Sequence, residues 1–345
     1  KGNVVPHESG TTLRLLLPVA ASICNEVDVD AKGRLPDRPL EPMLGEMKAH
    51  GVTFSRDKPP FTMTGRLQGG EFGMVGDVSS QFFSGLLLAA PQCGGATITS
   101  TTPLQSSDYV TLTTTTMADF GVTVDHTPAS GTVQESFAVA ANATFKGQSN
   151  YQIEGDWSNT AIWMVAAGMT GKQITITGMN KNSVQADRRI MQIMIDAGCD
   201  VVWDGMNVTV TGRAVKPIHA DLEQMPDMLP VMAALACSIQ GESSFVKGAR
   251  LRLKESDRLE AVANLVRDLG GTIREEGDDL YIIGSGILKG GQGDCVNDHR
   301  LVMAGTLMAL ISENPVTLKD SEAITKSYPD FFEDWNLLGG NANGI

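Results

Sequence analysis

A chain of 345 residues exceeds what one hydrophobic core ordinarily supports, so two domains are the natural expectation. Its 42% apolar and 19% charged residues describe an ordinary globular protein and exclude a disordered or fibrous one. Lys and Arg number 27 against 40 Asp and Glu, and the resulting charge of −13 argues against non-specific binding of nucleic acid or an anionic membrane. The longest apolar runs, such as Leu229 to Ile239, fall short of the roughly 20 residues of a membrane span. Cys24, Cys93, Cys199, Cys237 and Cys295 are odd in number and scattered through apolar segments. That pattern predicts reduced core thiols in a cytoplasmic compartment rather than disulfides or a metal cluster.

Along the chain a pair of helix openings recurs five times, at intervals of about seventy residues. The first openings are Ser9-Gly10-Thr11-Thr12, Ser79-Ser80-Gln81, Asp156-Trp157-Ser158-Asn159, Pro226-Asp227-Met228 and Asn297-Asp298-His299-Arg300, each running into an apolar helix. The second openings are Asp37-Arg38, Asp108-Tyr109, Asp187-Arg188, Asp257-Arg258 and Ser327 after Lys326. Four of the second helices close on a shared cadence, MKAHGVTF, MADFGVTV, MIDAGCDVV and VRDLGGTI. Each repeat reads as strand, helix, strand, helix and two strands. Two closing hairpins are predicted to turn at Asp204-Gly205 and near Gly277, with Met206, Val208 and Val210 on a buried face.

A composition shift at Ser149-Asn150-Tyr151-Gln152, before a new strand-helix unit, marks the expected boundary. Two units fall in a first domain over 1–152, and three in a second over 153–345, the last without its closing strands. Both ends of the chain look unfinished on this count, so a further segment is expected to complete the first domain and lend a strand to the last. The chemistry lies in the helix openings. Their first N–H groups lack intrahelical partners and carry the positive end of the macrodipole, which suits phosphate and carboxylate groups.

The runs ESGTTLR (8–14), RPLEPM (38–43), DVSSQF (77–82), LKESDRL (253–259), NDHR (297–300) and KSYPDFF (326–332) together resemble 5-enolpyruvylshikimate-3-phosphate (EPSP) synthase, in the right order and over nearly the whole chain. The resemblance implies an α/β (α+β) fold of two domains built from repeated βαβαββ units, an inside-out α/β barrel that is N-terminally incomplete here, with substrates in the cleft between the domains. The family's N-terminal Lys-Ser motif and nearby Arg have no counterpart in this sequence. The implied reaction moves the enolpyruvyl group of phosphoenolpyruvate to the 5-hydroxyl of shikimate 3-phosphate and releases phosphate, a step of aromatic amino acid biosynthesis. Both substrates are polyanions, so cations and helix ends can supply the electrostatics, and no metal or other cofactor is implied.

Matched residue by residue, the resemblance places Asp227 as proton acceptor, Glu255 as proton donor and Lys254 on the shikimate phosphate or hydroxyls. It assigns Gly10, Arg38, Gln81, Arg258, Arg300 and Lys326 to phosphoenolpyruvate, where glyphosate would compete, and Ser79, Ser80 and Ser106 to shikimate 3-phosphate. Plainer readings stand beside these. Asp227 and the serines suit helix N-caps; Arg38 and Arg258 suit local ion pairs with Asp37 and Asp257, worth about 0–1 kcal/mol at a surface; Gly10 suits a permissive turn or close ligand approach. His299 reads as a contact or a neighbour, and Tyr109 equally as a cleft aromatic or a packing residue. Arg250 stands where some family members have Asn, and no role is carried over to it. Two further readings remain open from the sequence: UDP-N-acetylglucosamine enolpyruvyl transferase, which shares the repeat but uses a mobile-loop Cys, and a silent or split fragment that pairs with a complementary N-terminal segment.

Overall fold

The computed structural model describes residues 1–343, and the chain divides into two compact units, Lys1–Gln152 and Ile153–Ile345. The first unit opens with β1 (Gly2–Val4), α1 (Gly10–Ile23), β2 (Glu26–Val29), α2 (Met43–Ala49), β3 (Val52–Phe54) and β4 (Phe61–Gly65). Strands β1 and β2 pair in parallel across the α1 crossover, while β4 pairs antiparallel with both β2 and β3. The next six elements repeat this arrangement: β5 (Gly70–Met74), α3 (Ser80–Ala89), β6 (Ala96–Ser100), α4 (Ser107–Asp119), β7 (Val124–Thr127) and β8 (Ser136–Val139). Their order β5-β6-β8-β7 reproduces β1-β2-β4-β3. Each βαβ crossover starts its helix at the C-terminal edge of a strand, so the openings of α1 and α3 lie at corresponding edges of their sheets.

Leu13 and Leu17 of α1 pack with Phe82, Phe83, Leu86 and Leu87 of α3 in the first unit's core. The close approach of these two helices depends on Gly85, where an added Cβ would lie 2.3 Å from the Arg14 carbonyl oxygen.

The second unit begins with α5 (Trp157–Thr170), β9 (Ile174–Ile176), α6 (Ile190–Asp196), β10 (Asp200–Asp204) and β11 (Asn207–Thr211), whose strands pair in the order β10-β11-β9. The strand expected ahead of α5 does not form. Residues 150–155 run as irregular backbone and reach the end of this sheet where the Gly155 N–H donates to the Gly178 carbonyl. A complete repeat follows, with β12 (His219–Asp221), α7 (Leu229–Ser238), β13 (Gly241–Val246), α8 (Arg258–Asp268), β14 (Thr272–Glu276) and β15 (Asp279–Gly284) ordered β12-β13-β15-β14. The parallel pair β16 (Gly291–Asp294) and β17 (Val316–Lys319), bridged by α9 (His299–Ala309), precedes α10 (Phe331–Leu337).

Helices α5, α7 and α9 are buried almost throughout their length, as their predominantly apolar sequences require. Hairpins turn at Gly205 (φ 57°) and Gly277 (φ 64°), but Met206 lies in the turn itself and is exposed, leaving Val208 and Val210 to the core.

The second openings differ from expectation in an instructive way. Only Asp257 caps its helix, accepting from the Glu260 N–H. Asp37 closes a short 3-10 turn, and Pro39 holds Arg38 extended (ψ 142°), so α2 starts five residues later at Met43. Asp187 lies in a 3-10 turn ahead of α6, α4 starts directly after the left-handed Ser106, and Lys326 ends a 3-10 segment ahead of α10. Arg38 therefore precedes α2 rather than opening it.

Gly85→Ala tests the α1–α3 crossing: the added methyl meets backbone, which cannot rotate away, and a loss of about 1–3 kcal/mol is expected in urea unfolding.

Candidate functional site

In the second unit the site is organised around one buried guanidinium. Asp257 starts α8 and thereby sets Arg258 as its first helical residue, with a side chain only 1% exposed. Its Nε donates to Asp298 Oδ2 at 2.7 Å, and Nη2 donates to Asp298 Oδ1 at 3.2 Å and Glu255 Oε2 at 2.7 Å. Nη1 donates to Asp227 Oδ1 at 2.6 Å. The local pair with Asp257 is thus not made; Asp257 instead holds Arg252 at 3.0 Å.

Asp298 is the N-cap of α9, accepting from the Arg300 N–H at 3.0 Å and from Ser256 Oγ at 3.0 Å. Asp227 is not a cap. It lies in the 3-10 turn Pro226–Met228 ahead of α7, and its carboxylate faces Lys254 Nζ at 3.2 Å and Arg300 Nη2 at 3.9 Å. Lys326 Nζ donates to the Asn297 carbonyl at 2.7 Å, at the entrance to α9. The structure therefore brings Asp227, Lys254, Glu255, Arg258 and Arg300 into one network, with Lys326 at its edge.

Burial dominates the electrostatics of this cluster. It drives the Asp227 carboxyl toward protonation, yet Lys254, Arg300 and Arg258 overcome it and hold that carboxyl well below the usual range. Burial likewise favours protonated Asp298, and Arg258 reverses the balance. The Lys254 ammonium is lowered by burial, with Asp227 opposing and Arg258 adding to the shift. His299 falls to about 4, first through burial and then through Arg300 and Arg258, so its imidazole is neutral at physiological pH and cannot serve there as a cationic anchor.

The first unit carries a second constellation at the openings of α1 and α3. Ser9 caps α1 by accepting from the Thr12 N–H. Gly10 follows, and a Cβ there would lie 2.7 Å from Arg38 Nη1, so the missing side chain makes room for the Arg38 guanidinium against the helix start. Gln81 joins the two helices: its Nε2 donates to Thr11 Oγ1 at 2.7 Å, and its Oε1 accepts from Arg14 Nη1 at 3.1 Å. Arg14 Nη2 reaches the Pro39 carbonyl at 3.1 Å, tying the segment after Arg38 to the same group.

Ser79 caps α3 and accepts from the Gln81 N–H at 3.3 Å, while Ser80 is buried in the first turn. Ser106 is a buried left-handed residue (φ 53°) at the start of α4, next to the half-buried Tyr109.

Sequence reasoning assigned no role to Arg14, Asp298 or Asp187. The first two stand inside the ESGTTLR and NDHR runs, but their partners are 67 and 40 residues away. Asp187 was visible as a helix-opening Asp, although nothing in the sequence announces its burial.

Arg258→Met removes the common counter-charge of three carboxylates and is expected to cost about 3–5 kcal/mol near neutral pH. Without the guanidinium, burial raises the Asp298 carboxyl, so the penalty is present above that raised pKa and recedes as pH falls through it. Urea unfolding at about pH 7 and about pH 5 checks this, the deficit being smaller at the lower pH.

A family model described as EPSP synthase (3-phosphoshikimate 1-carboxyvinyltransferase) matches residues 4–335. The 3-phosphoshikimate 1-carboxyvinyltransferase of Clostridium kluyveri is 37% identical over 343 residues, which are 99% of this chain and 79% of that protein. The enzyme of the same name from Methanocorpusculum labreanum is 34% identical over 99% of this chain and 80% of its own length. Among solved structures, EPSP synthase from Acinetobacter baumannii shares the fold with a TM-score of 0.77 at 22% identity, covering 97% of this chain and 78% of that one. Family model, relatives and fold agree, and the chain belongs to the EPSP synthase family.

Proposed function

We propose that this protein transfers the enolpyruvyl group of phosphoenolpyruvate to the 5-hydroxyl of shikimate 3-phosphate and releases inorganic phosphate. The observation that carries the reading is the network around Arg258, in which two carboxylates, Asp227 and Glu255, share one buried cation. Asp227 also faces Lys254 and Arg300. Addition of the hydroxyl across the enol double bond requires a proton at the methylene carbon, assigned to Glu255, and removal of the hydroxyl proton, assigned to Asp227. The tetrahedral adduct then loses a methyl proton and its phosphate, which restores the double bond.

Lys254 is assigned to shikimate 3-phosphate together with Ser79, Ser80 and Ser106. Gly10, Arg38, Gln81, Arg258, Arg300 and Lys326 are assigned to phosphoenolpyruvate. For Arg258 the role is largely indirect, because its guanidinium already donates to three carboxylates. Coverage of four-fifths of the length of relatives named for the whole activity supports the transferase over a silent piece awaiting a complementary fragment. The position of the cysteines weighs against the UDP-N-acetylglucosamine enolpyruvyl transferase reading: Cys24 caps the C-terminus of α1 and Cys93 follows α3, both away from the helix openings.

Phosphate release that depends on both substrates tests the reaction directly, and release with phosphoenolpyruvate alone or with neither would overturn it. Asp227→Asn and Glu255→Gln are each expected to lower kcat by about 10²–10⁴-fold in this assay. Gly10→Ala, by displacing the Arg38 guanidinium, is expected to raise the KM for phosphoenolpyruvate roughly tenfold or more while leaving kcat much less affected.

A further inference from the structure

Arg252 lies just ahead of Lys254 and Glu255, and the proposed reaction gives it no task. Its guanidinium is spread over three acceptors. Nε donates to Asp278 Oδ1 at 2.9 Å, Nη2 to the Gly277 carbonyl at 2.9 Å and Nη1 to Asp257 Oδ2 at 3.0 Å. Gly277 and Asp278 form the turn between β14 and β15, whereas Asp257 is the N-cap of α8, its other oxygen accepting from the Glu260 N–H at 3.2 Å. One side chain therefore joins a hairpin turn to a helix opening.

Residues 252 and 257 are also the two ends of the segment that carries Lys254 and Glu255, and the Arg252–Asp257 pair closes that segment into a loop. The backbone just before the loop is fastened to the same hairpin. The Gly248 N–H donates to the Asp278 carbonyl at 3.0 Å, and the Lys247 N–H to Asp279 Oδ1 at 2.8 Å. A Cβ on Gly248 would lie 2.8 Å from that Asp278 carbonyl oxygen, so this approach requires the missing side chain. Between the anchors, Lys254 Nζ turns to Asp227 at 3.2 Å and Glu255 to Arg258 at 2.7 Å. Ion pairs as open to water as those of Arg252, whose side chain is 38% exposed, add little stability. Three acceptors matched to a rigid planar fork fix geometry instead.

We infer that Arg252 is a positioning residue that pins the 252–257 loop to the β14–β15 turn and so sets where Lys254 and Glu255 stand. The inference rests on the proposed reading of Lys254 as a contact of shikimate 3-phosphate. Without the guanidinium, the loop keeps its covalent path but loses the closure between its ends, and the Lys254 ammonium is no longer held where the ligand needs it. The loss then falls on binding through Lys254.

Calorimetric titration of the intact protein with shikimate 3-phosphate tests this. Lys254→Met is expected to weaken binding at least about tenfold, the size of a lost charge-assisted hydrogen bond. Arg252→Met should weaken it about fivefold or more in the wild-type background, but less than about twofold when Lys254→Met is already present, because no ammonium is left to misplace. A merely structural role weakens binding by the same factor in both backgrounds, and that result overturns the inference, as does wild-type affinity in Arg252→Met. If Arg252→Met fails to fold, Asp278→Ala loosens the same anchor from the turn and is expected to weaken binding about twofold to threefold, again only while Lys254 is present; no loss, or an equal loss in both backgrounds, is equally fatal. Binding unchanged in Lys254→Met overturns the reading of Lys254 and the inference with it.

Discussion

A guanidinium removed from water is tolerable only when its charge and its donors are matched, and Arg258 meets that condition by drawing on three separate stretches of chain. Asp227 precedes α7, Glu255 precedes α8 and Asp298 begins α9, so one side chain ties three helix openings together. Such an arrangement is weak evidence for stability, since burying ions costs as much as their attraction returns or more. Its value lies in position. The guanidinium fixes where two carboxylates of the proposed chemistry stand before any ligand arrives.

The distribution of polarity follows from the repeat. Helices α5, α7 and α9 have almost no solvent-facing surface, so they leave little room for polar side chains along their length. Charges collect at the openings, where unsatisfied N–H groups also favour anions. In the first unit the same logic operates with fewer charges: Gln81 bridges Arg14 and Thr11 across two openings, and Gly10 leaves space for Arg38. Both constellations occupy the C-terminal edges of strands that lead into helices, where α/β folds generally place their ligands.

The parts legible in the sequence were those whose information is local or carried by a motif. Alternating strands, apolar helices and the turns at Gly205 and Gly277 follow from residues adjacent in the chain. Misreadings arose where a neighbour competed. Asp37-Arg38 looks like a helix start, but Pro39 forces extended backbone and delays α2; Asp257 and Arg258 look like a pair, but each has a better partner elsewhere. The strand expected before α5 is instead irregular backbone, in which the Gly155 N–H reaches the Gly178 carbonyl near β9. Burial of Asp187, and the link of Arg14 to Gln81, depend on contacts that periodicity does not encode.

On the proposed reading, the resting network also explains why its base is held in so acidic a state. Asp227, Glu255 and Asp298 face Arg258, Lys254 and Arg300, three carboxylates against three cations. Asp227 is a feeble proton acceptor in that company, because the cations that keep it ionised also lower its basicity. A polyanionic substrate bound to Lys254 and Arg300 offsets those cations, and Asp227 gains basicity as a result. The carboxylate then becomes competent only when a substrate is present to receive its action. Arg258 remains in place throughout because its donors are committed to the three carboxylates, so the geometry persists while the charge balance around it changes.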